Sequence, residues 1–380
     1  MVDFRLSEEQ EALVASVREF AREQVAPVIA EHYEKKTFPY DVVRQMGKMG
    51  LFGLPFAEEH GGMGGDYFAL CLALEELARV DSSVAITLEA GVSLGAMPIY
   101  RFGTDAQKAA WLPRLTSGEA LAAFGLTEPG TGSDAAATTT RAVLDEQTNE
   151  WVINGSKAFI TNSGTDITCL VTVMAVTGPK ELSTIIVPSG TPGFTVAPGY
   201  SKVGWCASDT HELAFDDVRV PAANLLGERG RGFAQFLRIL DEGRIAIAAL
   251  AVGLAQGCVD ESVKYAKERQ AFGRPIGNYQ AVQFMIADME MRAHTARLAY
   301  YEAASRMLAG EDFKHQAALA KLYASEAAMD NARYATQVHG GYGFMNESAV
   351  GRFYRDAKIL EIGEGTSEVQ RMIIARGLGL

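Results

Sequence analysis

Apolar residues recur at helical spacing from Ser7 to about residue 30. Leu13, Val14, Val17, Phe20, Ala21 and Val25 lie on one face, with Ser7 as an N-cap and Glu8 and Glu9 in the first turn. Similar stretches at roughly 40–50, 67–80, 83–101 and 105–115 predict further helices. The run His60-Gly61-Gly62-Met63-Gly64-Gly65 reads as a loop between them. Near residue 120 the period shortens. Trp151-Val152-Ile153 and Lys157-Ala158-Phe159-Ile160 flank Asn154-Gly155, which predicts a hairpin in which both turn residues take positive φ. Strand-like runs follow at 169–176, 184–187, 194–197 and 213–220, punctuated by Pro188, Pro192, Gly193 and Pro198.

The segment Glu228-Arg229-Gly230-Arg231-Gly232 opens a second helical region, with helices expected at about 232–270, 278–309, 313–338 and 365–376. Val282, Met285, Ile286, Met289 and Met291 form an apolar stripe on the second of these, as expected of a bundle core. The pattern predicts an α+β chain in three parts. These are an N-terminal helical domain (1–120), a small β-barrel or sandwich domain (121–225) and a C-terminal four-helix bundle (226–380).

Composition narrows the function classes. A net charge of -12 with no Lys/Arg-rich block argues against a nucleic-acid partner. The four cysteines are scattered without a C-x-x-C pair, and the six histidines lack ligand spacing, so neither a disulfide framework nor a bound metal is expected. No run of 18 apolar residues and no signal or transit pattern is visible. The expectation is a soluble, cytoplasmic protein of bacterial type with no membrane span.

Three segments carry candidate chemistry. Gly125-Leu126-Thr127-Glu128-Pro129-Gly130-Thr131-Gly132-Ser133-Asp134 contains the loose fingerprint G-x-G-x-x-A. Position 155 is Gly rather than acidic and no crossover helix follows, so a Rossmann site is rejected. Its small residues instead let a planar ring and a phosphate-bearing chain lie against backbone amides. Gln337-Val338-His339-Gly340-Gly341-Tyr342-Gly343-Phe344 is a second bare stretch of backbone, and Arg269 beside Gly273 suits a fork of donors to a pyrophosphate. The third segment, Glu361-Ile362-Gly363-Glu364-Gly365-Thr366-Ser367-Glu368, sets a carboxylate between two glycines just ahead of a helix. A substrate can approach such a base closely.

In this order and at about this separation, the three segments resemble the acyl-CoA dehydrogenase family of flavoproteins, in its short- or branched-chain form. The resemblance runs the length of the chain. It implies an FAD-dependent enzyme that converts an acyl-CoA thioester to the trans-2-enoyl-CoA. Glu364 is the implied base for the α-proton and the flavin N5 the acceptor of the β-hydride, with Arg244 supporting the site. Implied cofactor contacts are Phe124, Leu126, Thr127, Gly132, Ser133, Phe159, Thr161, Thr366 and Glu368. A further set, Arg269, Phe272, Gln280, Gln337, Gly340 and Gly341, is implied to reach the flavin of a neighbouring subunit. Ser133, Asp241, Arg244, Gly363 and Gly365 are the implied substrate contacts.

Some relatives place the base at the position of Gly243, which has no side chain, so Glu364 is favoured and Glu242 is a distant second. Straight-chain relatives typically carry Tyr at the Gly363 position, so Gly363 implies room for a short or branched acyl chain. Ala271 and Cys206 depart from common family residues, and Cys206 has no account. The resemblance also implies a homotetramer and an electron-transferring flavoprotein as electron acceptor. An acyl-CoA oxidase, another flavoprotein of the same fold or an inactive flavin-bearing scaffold are the alternatives.

Overall fold

The computed structural model describes residues 4–380. Helices α1 (Glu8–Phe20), α2 (Ala26–Lys35), α3 (Tyr40–Lys48), α4 (Tyr67–Ala78), α5 (Ser82–Glu89), α6 (Met97–Phe102) and α7 (Asp105–Thr116) build the first layer. Ser7 caps α1 by accepting from the Gln10 N–H at 3.2 Å while the Gln10 side chain returns to the Ser7 N–H at 3.0 Å. The predicted first helix does not stop near residue 30. A π-helical turn, Ala21–Val25, joins α1 to α2, which ends at Lys36 in the left-handed region. A second π-helical segment, Ala90–Ala96, joins α5 to α6.

The middle of the chain is one eight-stranded sheet: β1 (Leu121–Gly125), β2 (Arg141–Asp145), β3 (Glu150–Thr161), β4 (Thr168–Gly178), β5 (Glu181–Pro188), β6 (Phe194–Val196), β7 (Thr210–Pro221) and β8 (Leu225–Leu226). The order is β6-β7-β3-β2-β4-β5-β8, with β1 parallel to β4. It packs a core of its own, which includes Trp151, Ile153, Val171, Ile185, Leu213 and Phe215.

The hairpin expected at Asn154-Gly155 is absent, because β3 runs straight through it. The turn lies earlier, at Asn149 (φ 57), between β2 and β3. Gly155 marks a bulge opposite β7 instead. Its φ is 145°, and a Cβ there would lie 2.6 Å from Thr140 Oγ1. The glycine answers a close approach, not a reversal.

After the sheet come α8 (Gly232–Glu268), a short ribbon of β9 (Gln270–Ala271) and β10 (Arg274–Pro275), α9 (Gln280–Leu308), α10 (Lys314–His339), α11 (Ala349–Leu360) and α12 (Ser367–Gly377). Helices α8 to α11 pack as a bundle, with α4 of the first layer against α8 and α12 against α10. The stripe on α9 is only partly interior: Met289 is buried, Val282, Met285 and Ile286 are half-buried and Met291 is exposed. Residues 82–102 and 232–268 are long and apolar enough to cross a bilayer by composition, yet both are core helices, 94% and 89% buried within the protein.

One carboxylate joins all three layers. Asp356 on α11 accepts from Tyr33 on α2 at 2.6 Å, from Ser82 on α5 at 2.7 Å and from the Trp205 N–H, in the segment before β7, at 2.7 Å.

Candidate active site

Glu364 occupies the connection between α11 and α12. Ile362 and Gly363 N–H groups donate to Ile359 O at 2.9 and 2.8 Å, and Ser367 N–H donates to Glu361 O at 2.9 Å. Thr366 caps α12 by accepting from the Val369 N–H at 3.2 Å. Tight closure at both ends forces Glu364 to φ 52 and Gly365 to φ 96. A glutamate in the left-handed region costs on the order of 1 kcal/mol and persists only when its surroundings hold it there. Lys321 Nζ on α10 and Gln370 Nε2 on α12 do so, donating to Gly365 O at 2.8 and 2.9 Å. The carboxyl turns toward α8, where Gly243 leaves the space: a Cβ there would lie 2.6 Å from Glu364 Oε2. Among the described residues the Glu364 N–H has no acceptor.

Burial pushes the Glu364 carboxyl up to about 7, while the neighbouring Glu89 side chain and the charges of Lys321 and Arg244 pull it back. Arg244 is buried and ion-paired with Asp241, whose second oxygen lies 3.9 Å from Lys314 Nζ. Its NH2 nitrogen would be 3.9 Å from a Cβ on Gly365, so it flanks the Glu364 loop. Glu242 is committed elsewhere: buried, it pairs with Arg101 at 3.1 Å and Arg238 at 3.3 Å. That double pairing occupies both of its carboxylate oxygens.

Phe124, on β1, stacks on Phe236 of α8 with centroids 3.9 Å apart. Phe236 and Gly243 are seven residues apart, so they share one face of α8 about 10 Å apart along its axis. Leu126 and Thr127 continue from β1, and Thr127 O accepts from the Ala158 N–H at 2.8 Å, drawing β3 alongside. Phe159 sits at a bulge on β3 with φ 59, 65% exposed beside Tyr200. An aromatic ring is thus held outward by backbone it would not choose. Thr161 ends the strand, half-buried.

The glycine loop folds by reciprocal N–H donation between Glu128 and Thr131 at 3.0 and 3.1 Å. Beneath it Lys157 donates to Glu128 at 2.8 Å, and Thr138, Thr139 and Thr140 also donate to that carboxylate. Gly132 and Ser133 are exposed, and a Cβ on Gly130 or Gly132 would touch nothing within 4 Å. Thr131 Oγ1 is buried without a partner.

The remaining candidates form a second cluster. Arg269 caps α8, and with Gly340 and Gly341 it lines a cavity of about 500 Å³ whose wall includes Tyr265 stacked on His339. Phe272 projects at the tip of the β9–β10 ribbon, 96% exposed. Gln280 opens α9 and Gln337 lies in the last turn of α10, both exposed. Glu268 is 25 residues beyond Gly243 along α8, about 37 Å, so this cluster is remote from Glu364 in the same chain. Glu368, exposed in the first turn of α12, is held below the usual carboxylate range by its own backbone N–H and by Thr366. Glu89 and Lys321 were not foreseen, though each is a lone charge in an apolar or alanine-rich helical stretch.

Bare glycine backbone, an outward aromatic and an orphaned hydroxyl around the first cluster fit a planar ring with a phosphate chain. Among the described residues no group of three His, Cys, Asp or Glu is placed to hold a metal.

Comparison with known proteins agrees with that chemistry. The chain matches the family models described as acyl-CoA dehydrogenase N-terminal domain over residues 7–119, middle domain over 123–218 and C-terminal domain over 230–379. It is 49% identical to a probable acyl-CoA dehydrogenase of Bacillus subtilis, covering 99% of this chain and 100% of that one. A short-chain specific acyl-CoA dehydrogenase of Clostridium acetobutylicum is 43% identical, covering 98% and 99%. The solved butyryl-CoA dehydrogenase of Megasphaera elsdenii superposes with a TM-score of 0.96 at 41% identity, covering 100% of both chains. A chain from the structure of the electron transferring flavoprotein of Acidaminococcus fermentans gives 0.96 at 42% identity, covering 99% of both. The chain belongs to the acyl-CoA dehydrogenase family, whose members are FAD-dependent oxidoreductases.

Proposed function

We propose that the protein dehydrogenates a short or branched acyl-CoA thioester to the trans-2-enoyl-CoA, with Glu364 removing the α-proton. The carrying observation is the Glu364 carboxyl, held inward by a left-handed backbone, with burial raising it to about 7. A base of that basicity is half ionised near neutrality, where general-base catalysis is most effective. The unpaired Glu364 N–H is available to the thioester carbonyl, where negative charge grows as the proton leaves. Arg244 and Lys321 add positive charge around the carboxylate without pairing with it. FAD, when bound, supplies the hydride acceptor for the β-carbon that no side chain provides. Phe124, Leu126, Thr127, Gly132, Ser133, Phe159, Thr161, Thr366 and Glu368 are the residues assigned to hold it.

The second cluster of Arg269, Phe272, Gln280, Gln337, Gly340 and Gly341 is assigned to the flavin of another copy. About 37 Å of helix separates it from the base, which is why a homotetramer is proposed. Ser133, Asp241, Arg244, Gly363 and Gly365 are the proposed substrate contacts. A short or branched chain is supported by the names of the relatives and by Gly363, where a Cβ would meet only Ile359. The neighbour described as an electron transferring flavoprotein supports such a protein as electron acceptor. Four unpaired cysteines support a cytoplasmic setting. A relative 44% identical, named acryloyl-CoA reductase (NADH), supports the reverse direction as a second reading, with the same residues returning the proton.

Anaerobic mixing of the flavin-loaded protein with butyryl-, isobutyryl-, 2-methylbutyryl-, isovaleryl- and octanoyl-CoA tests the proposal. Bleaching of the flavin by a short or branched ester supports it. No bleaching by any ester overturns the activity, and a clear preference for octanoyl-CoA overturns the chain-length assignment. Peroxide released on mixing reduced protein with air would point to an oxidase.

A further inference from the structure

Glu89 is the last residue of α5, at the start of the π-helical segment 90–96, and is 0% exposed. A carboxyl buried in an apolar helix is costly, and a leucine of similar volume would pack there more favourably. Ionised, Glu89 Oε1 and Oε2 and Glu364 Oε2 are buried acceptors without a donor. Both side chains converge on the vacant β-position of Gly243, 2.6 Å from Glu364 Oε2 and 3.8 Å from Glu89 Oε1. Two carboxylates so placed repel. One proton between them converts repulsion into an O–H···O⁻ bond, the strong charge-assisted kind.

The surroundings decide which carboxyl keeps the proton. Lys321 on α10 and Arg244 on α8 act on Glu364 and favour its ionised form. Asp241 faces Arg244 rather than the pair. Around Glu89 stand Tyr67 and Cys71 of α4, both kept neutral by burial, and Ser93 one turn along its own helix. Burial and the Glu364 charge push Glu89 well above the ordinary carboxylate range. The proton therefore resides on Glu89.

We propose that Glu89 is a positioning residue for the base: as a neutral acid it donates to Glu364 Oε2, keeping Glu364 ionised and its other oxygen free for the α-proton. This rests on Glu364 being the base. When the α C–H bond breaks, its proton passes to Glu364 and the proton on Glu89 stays in place. The pair then holds two protons, one of which returns to solvent before the next turnover.

The test uses the flavin-loaded protein with Glu89→Leu and Glu89→Gln. The rate of α-proton removal, followed by exchange of an α-deuterated ester, is measured against pH. Leu removes the donor, and its acidic limb is expected to move up by about one unit, a loss of about tenfold below it. The rate at high pH is retained. Gln keeps a donor, so its limb stays within about 0.3 unit of the parent. An unmoved or lowered limb for Leu, or a Gln variant behaving like Leu, overturns the proposal.

Infrared spectroscopy gives a readout independent of turnover. At a pH of about 9 an ordinary glutamic acid is ionised, and the parent-minus-E89Q difference is expected to contain the carbonyl band of a protonated acid. Its absence overturns the proposal. A band present without flavin reduction by any ester would sink the thioester reading and leave the pair standing.

Discussion

Lys157 and Glu128 form an ion pair at 2.8 Å beneath the glycine loop, their side chains 0% and 3% exposed. The partners respond unequally. Burial wins at the lysine, lowering it to about 8. At the glutamate burial also acts upward, but hydrogen bonds from Lys157 and three threonines outweigh it and hold the carboxyl well below its usual range. The pair is ionised at neutral pH. Lys157→Met leaves a buried carboxylate without its cation and is expected to cost about 3–5 kcal/mol in urea unfolding. Because the folded value of Glu128 is depressed, its stabilisation is present above about pH 4.3 and fades as pH falls. The penalty of Glu128→Gln is therefore expected to shrink in acid.

Glu364→Gln is expected to slow flavin reduction by about 10²–10⁴-fold, the usual range for a general base. It is also expected to stabilise the protein. The folded carboxyl titrates at about 7, above its unfolded value, so stability is fullest below about pH 4.3 and declines as pH rises through 7. The gain from Gln should be about 3–4 kcal/mol at pH about 8 and nearly vanish near pH about 4. Thermal melting at the two pH values checks the sign.

Lys321→Met removes the tie to Gly365 O and a positive charge acting on Glu364. Loss of the charge disfavours the ionised form of Glu364, and loss of the tie loosens its loop. The acidic limb of kcat/KM should shift upward, with about tenfold less activity at neutral pH and partial recovery in alkali. An unchanged pH profile would contradict this.

Gly243→Ala puts a methyl group 2.6 Å from Glu364 Oε2. The carboxyl tip can swing away, so the fold should survive and circular dichroism should not change. A base displaced by about 1 Å is expected to lose about 10²-fold in single-turnover flavin reduction.

Element types along most of the chain were legible because hydrophobic period separates helix from strand, and the capping residue Ser7 announced its helix directly. Asn154-Gly155 misled because the same dipeptide serves a turn or a bulge, and only the approach of Thr140 distinguishes them. The helix α11 was not predicted: Arg352 and Asp356 interrupt its apolar face, although both are buried. The last turn of α2, beyond residue 30, was hidden because Tyr33 is its single buried residue among polar neighbours.

Glu364 stood out because its glycine neighbours mark a special backbone position. Its environment did not. Glu89, Arg244 and Lys321 come from three separate helices, and their convergence is a property of packing rather than of local sequence. The distance between the two clusters of cofactor candidates was equally invisible, since it depends on α8 running unbroken between them.

Asp356 takes bonds from an N-terminal helix, from the head of α5 and from the segment leading into β7. Stitching at that point couples the three layers through one side chain. Heating should therefore dismantle all three layers together, in one calorimetric peak.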